Sequence, residues 1–271
     1  MTYTDITLHI EAIIVLSIIS VTSIKFKFVD KSGIISSLLV GYPIYVFGGR
    51  EYFILLLTFF FISAIMTKIR MRKVKYVYNK EDGVRSWRNV VANGLVVTVT
   101  AIGAGLSNNG RTFFTAYLGA LSTAFADTLG TEVGLLYKGK PRLIINMKKV
   151  NPGTPGAVTL LGYLGGVIGL TILTLLVTLT CNKIRFHAAS LIIYCSGLVG
   201  MTIDSFLGAL VQAKYRCGVC GKITESSFHC ESKAEQIQGL KYINTHTVNL
   251  IATIIGGIIA VVLTDLFNLL E

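Results

Sequence analysis

The sequence predicts an all-α fold, a polytopic membrane helix bundle of about eight transmembrane helices with the N-terminus outside. Three observations lead there. Of 271 residues, 52% are hydrophobic and only 14% charged, with a mean hydropathy of +0.66, whereas soluble domains carry roughly a quarter charged residues. Apolar stretches of the ~17–25 residues that cross a bilayer recur along the chain. Lys and Arg accumulate in alternate connections, as the positive-inside rule requires.

The first span, 8–24, has no cationic n-region, carries His9 and Glu11 and lacks a small-residue cleavage site. It reads as a retained helix rather than a signal peptide, with nothing removed. The second, 33–48, is short and interrupted by Gly and Pro; without it Lys25, Lys27 and Lys31 would fall in the membrane or outside. Spans at 52–67, 89–106, 112–136, 156–180, 188–213 and 247–267 complete the count. This arrangement puts 21 of the 25 Lys and Arg, Lys75, Lys80 and Lys222 among them, in four inside loops and leaves Arg50, Arg111, Lys183 and Arg185 outside. Residues 1–271 form a single transmembrane domain, with a cytoplasmic loop at 214–246. The net charge of +11 is then a cytoplasmic surface that fixes topology and meets anionic lipid head groups. The basic clusters adjoin spans and lack a reader motif, so nucleic acid is not an expected partner.

Asp127 and Asp204 lie inside apolar segments, followed by Thr128 and Ser205. An ionised carboxylate in hydrocarbon costs several kcal/mol unless a cation, partner or water compensates it, which makes each a functional-site candidate. Each stands nine residues before the inside end of its span, or ~13 Å deep at ~1.5 Å per residue. Thr123, Asp127 and Thr131 form one helical line beside Gly130 and Gly134; Asp204 shares a face with Gly208, with Gln212 below. The glycines also fit close helix packing without any site. Glu132 joins the carboxylates if the site is broad. From the same side enter Asn89 and Asn93, four apart, and His246, Asn249 and Thr253 on one face.

After the first carboxylate segment come Lys138, Lys140, Arg142, Lys148 and Lys149, then Asn151-Pro152-Gly153-Thr154-Pro155-Gly156. Glycines at a helix entrance admit an anion to backbone N–H groups, and neighbouring lysines neutralise phosphate. A plain turn before a helix uses the same residues, and the Walker spacing is absent. Carboxylates that hold Mg²⁺, Mg²⁺ that holds phosphates, and cations that take the remaining charge are the shared parts of phosphoryl transfer. Asp127 and Asp204, with Glu132, are the expected Mg²⁺ ligands. Arg88, Asn93, Lys140, Lys148, Lys149, Gly153, Thr154 and Gly156 are the expected nucleotide and phosphate contacts.

Ala126-Asp127-Thr128-Leu129-Gly130-Thr131-Glu132-Val133-Gly134, the stretch Asn151 to Gly162 and Asp204-Ser205-Phe206-Leu207-Gly208-Ala209 resemble the membrane-protein family of transmembrane protein nineteen and the plant phytyl-phosphate kinase. The resemblance covers roughly residues 30 to 265. More distantly, the order of Asp, Gly, basic loop and Gly-Thr is similar to the CTP-dependent dolichol and phytol kinases. It implies phosphoryl transfer from a nucleoside triphosphate, often CTP, to an isoprenoid alcohol or its monophosphate. Two departures stand out: Ala157 replaces a second small residue, and Asn244-Thr245-His246 replaces an acidic entry to the last span. Two other readings stay open. Intramembrane Asp residues also serve cation- or proton-coupled transporters, which need a polar route to both sides. A lipid cytidylyltransferase shares the metal chemistry and releases pyrophosphate.

Cys181 and Cys195 lie at or in spans and read as small packing residues. Cys217 and Cys220 form a C-x-x-C, and His229 and Cys230 follow. In a reducing compartment that set fits structural Zn²⁺, with free thiols or redox chemistry as alternatives. The adjacent His229 and Cys230 require a bent backbone to face one ion.

Overall fold

Polar residues that start helices appear ahead of most apolar runs, and the computed structural model, which describes residues 5–74, 83–181, 184–221 and 223–269, shows several of them capping. Lys75, Lys80, Lys183 and Lys222, which count toward the charge-based topology, lie outside the described residues. Asp5 accepts the Thr7 N–H at 2.9 Å at the start of α1 (Ile6–Lys25). Asp30 accepts the Gly33 N–H at 2.7 Å at the start of α2 (Lys31–Pro43). Thr159 and Asn244 do the same for α6 (Leu160–Thr180) and α8 (Thr245–Phe267). Such caps satisfy donors that the first helical turn leaves open. Between them run α3 (Arg50–Lys73), α4 (Trp87–Leu106), α5 (Gly110–Gly134) and α7 (Phe186–Leu210).

The chain is an all-α membrane bundle in its body. Six of these helices, α1, α3, α4, α6, α7 and α8, are long and apolar enough to cross a membrane. The two others explain why the sequence-level count of eight exceeds that number. α2 has 13 residues, or ~20 Å at ~1.5 Å per residue. It runs through Pro43 into a single π-helical turn, Ile44–Gly48, and stops at Gly49 with φ +88°. α5 is long, but 15 of its 25 residues are buried. A helix enclosed by other helices has no need of lipid-facing apolar bulk, and its Gly, Ala, Ser and Thr serve close packing instead.

That packing fixes the site. α5 sits against α3, α4, α6, α7 and α8. A Cβ on Gly119 would run into the Gly256 carbonyl, and one on Gly162 would stand 2.9 Å from that of Gly130; only Gly allows these backbone approaches. Thr123 donates to the Ser196 carbonyl at 3.0 Å, and Phe59 of α3 meets Phe125 edge-on at 5.5 Å. Large apolar side chains on the outer surfaces, such as Leu160 and Leu179, each 80% exposed, are a liability in water and the expected lining against lipid.

The connections hold short strands that the all-α expectation did not include. β1 (Arg142–Leu143) pairs antiparallel with β2 (Ala157–Val158). After α7, β3 (Lys214–Arg216) lies between β4 (Ile223–Thr224) and β7 (Glu235–Gln238), while β5 (Phe228–His229) and β6 (Ser232–Lys233) form a separate hairpin. Gln238 Nε2 donates to the Ala209 carbonyl at 2.7 Å, which ties this β element to the end of α7.

Candidate functional site

Asp127 on α5 and Asp204 on α7 line the same cavity, of about 330 Å³, and their charges act on one another. Both are half-buried. With its amide oriented to satisfy both neighbours, Asn249 of α8 donates to Asp204 Oδ2 at 3.1 Å and to the Thr245 carbonyl at 2.7 Å. Asp127 makes no hydrogen bond among the described residues. From α4, Asn93 lines the same wall. Its Nδ2 donates to the Asn89 carbonyl at 3.1 Å, and its Oδ1 is buried without a partner among the described residues. Two carboxylates and an unsatisfied amide oxygen are hard oxygen donors of the kind Mg²⁺ takes.

The Gly-rich loop closes one side. Gly153, Thr154 and Gly156 all line the cavity. Gly153 and Gly156 have φ of +81° and +78°, backbone that L side chains rarely adopt. A Cβ on Gly156 would stand 2.5 Å from Ala209 Cβ, so glycine is what seats the loop on α7 one turn beyond Asp204. Thr154 is turned inward on itself: its backbone N–H and its hydroxyl both donate to the Asn151 carbonyl, at 3.2 and 2.7 Å. Lys214 Nζ donates to the Pro155 carbonyl at 3.4 Å. Burial pushes the Lys214 ammonium below the usual lysine range, against the opposing pull of Glu225.

Other expected residues lie elsewhere. Glu132 lines the cavity but is taken up in an ion pair, accepting from Arg70 Nε at 2.5 Å and from the Thr67 hydroxyl at 2.7 Å. Arg88, Lys140, Lys148 and Lys149 are exposed and do not line the cavity; Arg88 lies over the Trp87 ring at 5.7 Å. Thr123 is consumed in helix packing. The cation in the wall is Arg85, which the sequence reading counted only toward topology. Its spacing from Asn89 and Asn93, four and eight residues, is the signal that marks it. Its backbone is held by Phe28 and Asp30: Arg85 N donates to the Phe28 carbonyl and Asp30 N to the Arg85 carbonyl, both at 3.1 Å. Glu225, from the β element, and Gln212, whose Nε2 is buried without a partner among the described residues, also reach the wall.

A second constellation stands in the β element. One ligand atom each from Cys217, Cys220, His229 and Cys230 lies within 4.8 Å of every other. His229 Nδ1 is 3.5 Å from Cys220 Sγ and 3.2 Å from Cys230 Sγ. Tetrahedral Zn²⁺ with bonds of ~2.0–2.3 Å has ligand–ligand edges near ~3.5 Å. The bent backbone required of His229 and Cys230 is present, since Cys230 and Glu231 have φ of +51° and +56°. The Cys220 backbone N–H, with help from His229, brings the Cys217 thiol down to about 6, in favour of the thiolate a metal needs. The hydrogen bond with Cys220 pushes Cys230 up to about 11. The group fits a zinc-like ion.

The chain is 31% identical over 252 residues to an uncharacterized membrane protein of Methanocaldococcus jannaschii, covering 93% of this chain and 92% of the other. It is 31% identical to protein PGR of Arabidopsis thaliana, over 91% of this chain and 92% of that protein. To the chloroplastic protein VTE6 of the same plant it is 25% identical, over 86% of this chain and 64% of the relative. No solved structure matches. The description "Integral membrane protein DUF92" fits residues 14–257, and the chain belongs to that family.

Proposed function

We propose that the chain is a membrane-embedded phosphotransferase that moves a phosphoryl group from a nucleoside triphosphate to an isoprenoid monophosphate or alcohol at the cytoplasmic side. The observation that carries this reading is the convergence of Asp127, Asp204 and Asn93, whose buried Oδ1 has no partner among the described residues, on one polar cavity bordered by the Gly153–Gly156 turn. The resemblance of the Asp127, Asn151–Gly162 and Asp204 stretches to the phytyl-phosphate kinase family supports it, and CTP is the donor that this resemblance favours.

Asp127, Asp204 and Asn93 would hold Mg²⁺, which when bound neutralises triphosphate oxygens and the charge that develops on the leaving group. Gly153 and Gly156 admit the phosphates to the α7 side, and Arg85 and Gln212 supply donors. Arg88, Lys140, Lys148 and Lys149, exposed as they are, act by drawing the nucleotide in, over the ~8 Å that physiological salt allows. An acceptor oxygen bonds to the γ-phosphorus as the bond to the β-phosphate oxygen breaks, and the nucleoside diphosphate leaves with that electron pair. A monophosphate acceptor is already ionised and needs no base; with an alcohol, Asp127 takes the proton. Glu132, neutralised by Arg70, holds α5 against α3 beside the site. Zn²⁺ at Cys217, Cys220, His229 and Cys230 would brace the loop that carries Glu225. In the bilayer, α2 with its π turn and α5 complete eight spans, N-terminus outside.

The test is purified protein with Mg²⁺, labelled CTP or ATP, and a panel of prenyl alcohols and monophosphates. Release of nucleoside diphosphate is expected. Pyrophosphate would mark a lipid cytidylyltransferase, and inactivity across the panel would remove both.

A further inference from the structure

A second, apolar cavity lies between α1, α2, α3 and α4, and its wall shares Arg85, Asn89 and Asn93 with the polar one. We infer that it seats the hydrocarbon chain of a single-chain lipid phosphate, and that Arg85 at the junction holds the anionic end. The inference rests on the phosphotransferase reading for what happens to that end, but not for the binding itself.

Two properties of the junction point to this ligand. The Arg85 guanidinium has no hydrogen-bond or ion-pair partner among the described residues; its Cζ lies over the Phe59 ring at 5.9 Å. Glu132, the carboxylate whose charge reaches it, is already bound by Arg70 and Thr67. A cation held near the membrane with its local anion committed elsewhere calls for an anion from outside the chain. On one side of it lies a polar cavity, on the other an apolar one, so the matching ligand carries its charge at one end of a hydrocarbon.

The apolar cavity follows α2 from Ile34 to Gly41, ~10 Å at ~1.5 Å per residue, against Leu57 and Phe60 of α3. Its free room is about 80 Å³, which takes the head-proximal part of one chain. Leu38 on its wall is 38% exposed on the bundle's outer surface, so the remainder of a long chain has a way into the bilayer. Ser20 and Ser37 are two of the small wall residues at which a larger side chain fills the space.

The test is photolabelling of the full chain in lipid nanodiscs with a hexadecyl phosphate that carries a diazirine near its head, mapped by mass spectrometry, with the corresponding hexadecanol as control. Label is expected in residues 34–41 and 53–60, competed by excess farnesyl phosphate. Ser37→Phe and Ser20→Phe should each lower it several-fold. Arg85→Gln should bring the phosphate probe down to the level of the alcohol, about tenfold, the order of a lost charge-assisted contact. Label spread over the lipid-facing sides of α1, α6 and α8 in the wild type, without competition, would overturn the inference whatever the variants do. Specific label without turnover of any donor keeps the groove and removes the phosphotransferase; turnover with scattered label does the reverse.

Discussion

A carboxylate enclosed by helices survives where something neutralises or solvates it. Asp204 has the Asn249 amide at 3.1 Å, whereas Asp127 faces the cavity with no hydrogen bond among the described residues. Asn93 lines the same cavity, and its buried Oδ1 has no partner among the described residues. Asn93→Ala is therefore expected to raise the Mg²⁺ concentration for half-maximal activity by about tenfold or more, the scale of lost metal-site support, with kcat at saturating Mg²⁺ changed less; a Mg²⁺ titration of initial rates reads it. The two aspartates were legible in the sequence because a carboxylate in an apolar run costs free energy that packing alone does not return. Arg85 was not, because it adjoins a basic loop where positive charge serves topology. Contact with Phe28, Asp30 and both cavities separates it from its neighbours, and in sequence only its spacing from Asn89 and Asn93 hints at this. The expectation for Lys148 and Lys149 rested on proximity in sequence to Gly153, and the β1–β2 pairing leaves both on the surface.

At the scale of elements, the long helices were readable to within a few residues because twenty or more apolar residues admit little else, except that α3 continues past residue 67 through Lys68, Arg70 and Arg72 to Lys73. The strands were not: at two to four residues each they show no alternation, and they exist only through antiparallel partners. The π turn after α2 was likewise hidden, although Pro43 and Gly48-Gly49 marked an interruption. The β element gives the test at this scale. About one Zn per chain is expected by elemental mass spectrometry, and Cys220→Ser should lose it. The melting temperature should fall by several degrees, since a structural metal contributes folding free energy. Metal content unchanged in that variant would show that the four residues are only neighbours. Because Lys214 donates to Pro155 and Glu225 lines the cavity, the metal-free protein should also show a weakened site.

At the scale of the molecule, the inside-out distribution of apolar side chains and the central, small-residue helix α5 form one design. The outer helices meet lipid, and the inner one carries Asp127. Composition disclosed the bilayer and the cost of Asp127 disclosed a candidate site, but the burial of α5 is a tertiary property that the span count at 112–136 did not contain. The topology argued from charge puts Asn108 outside and Lys148 inside. In a cysteine-free background, Asn108→Cys should react with a membrane-impermeant maleimide in intact cells, and Lys148→Cys only after permeabilisation. Labelling in the opposite order would invert the orientation and place the site outside.

Asp127 and Asp204 together are expected to support phosphoryl transfer to a membrane lipid. The most direct measurement is transfer of label from γ-phosphate-labelled CTP or ATP into lipid extracted from the protein with Mg²⁺ and a prenyl monophosphate. The comparison is with Asp127→Asn and Asp204→Asn proteins of matched melting temperature. Labelled prenyl diphosphate and unlabelled nucleoside diphosphate are expected with the wild type, and each substitution should cut the rate by roughly two to three orders of magnitude, as loss of a transition-state electrostatic partner does. Wild-type rates in both variants would rule out that role for the two aspartates, and a wild type that leaves the lipid unlabelled with either donor and with prenyl alcohols as well would rule out the transfer itself.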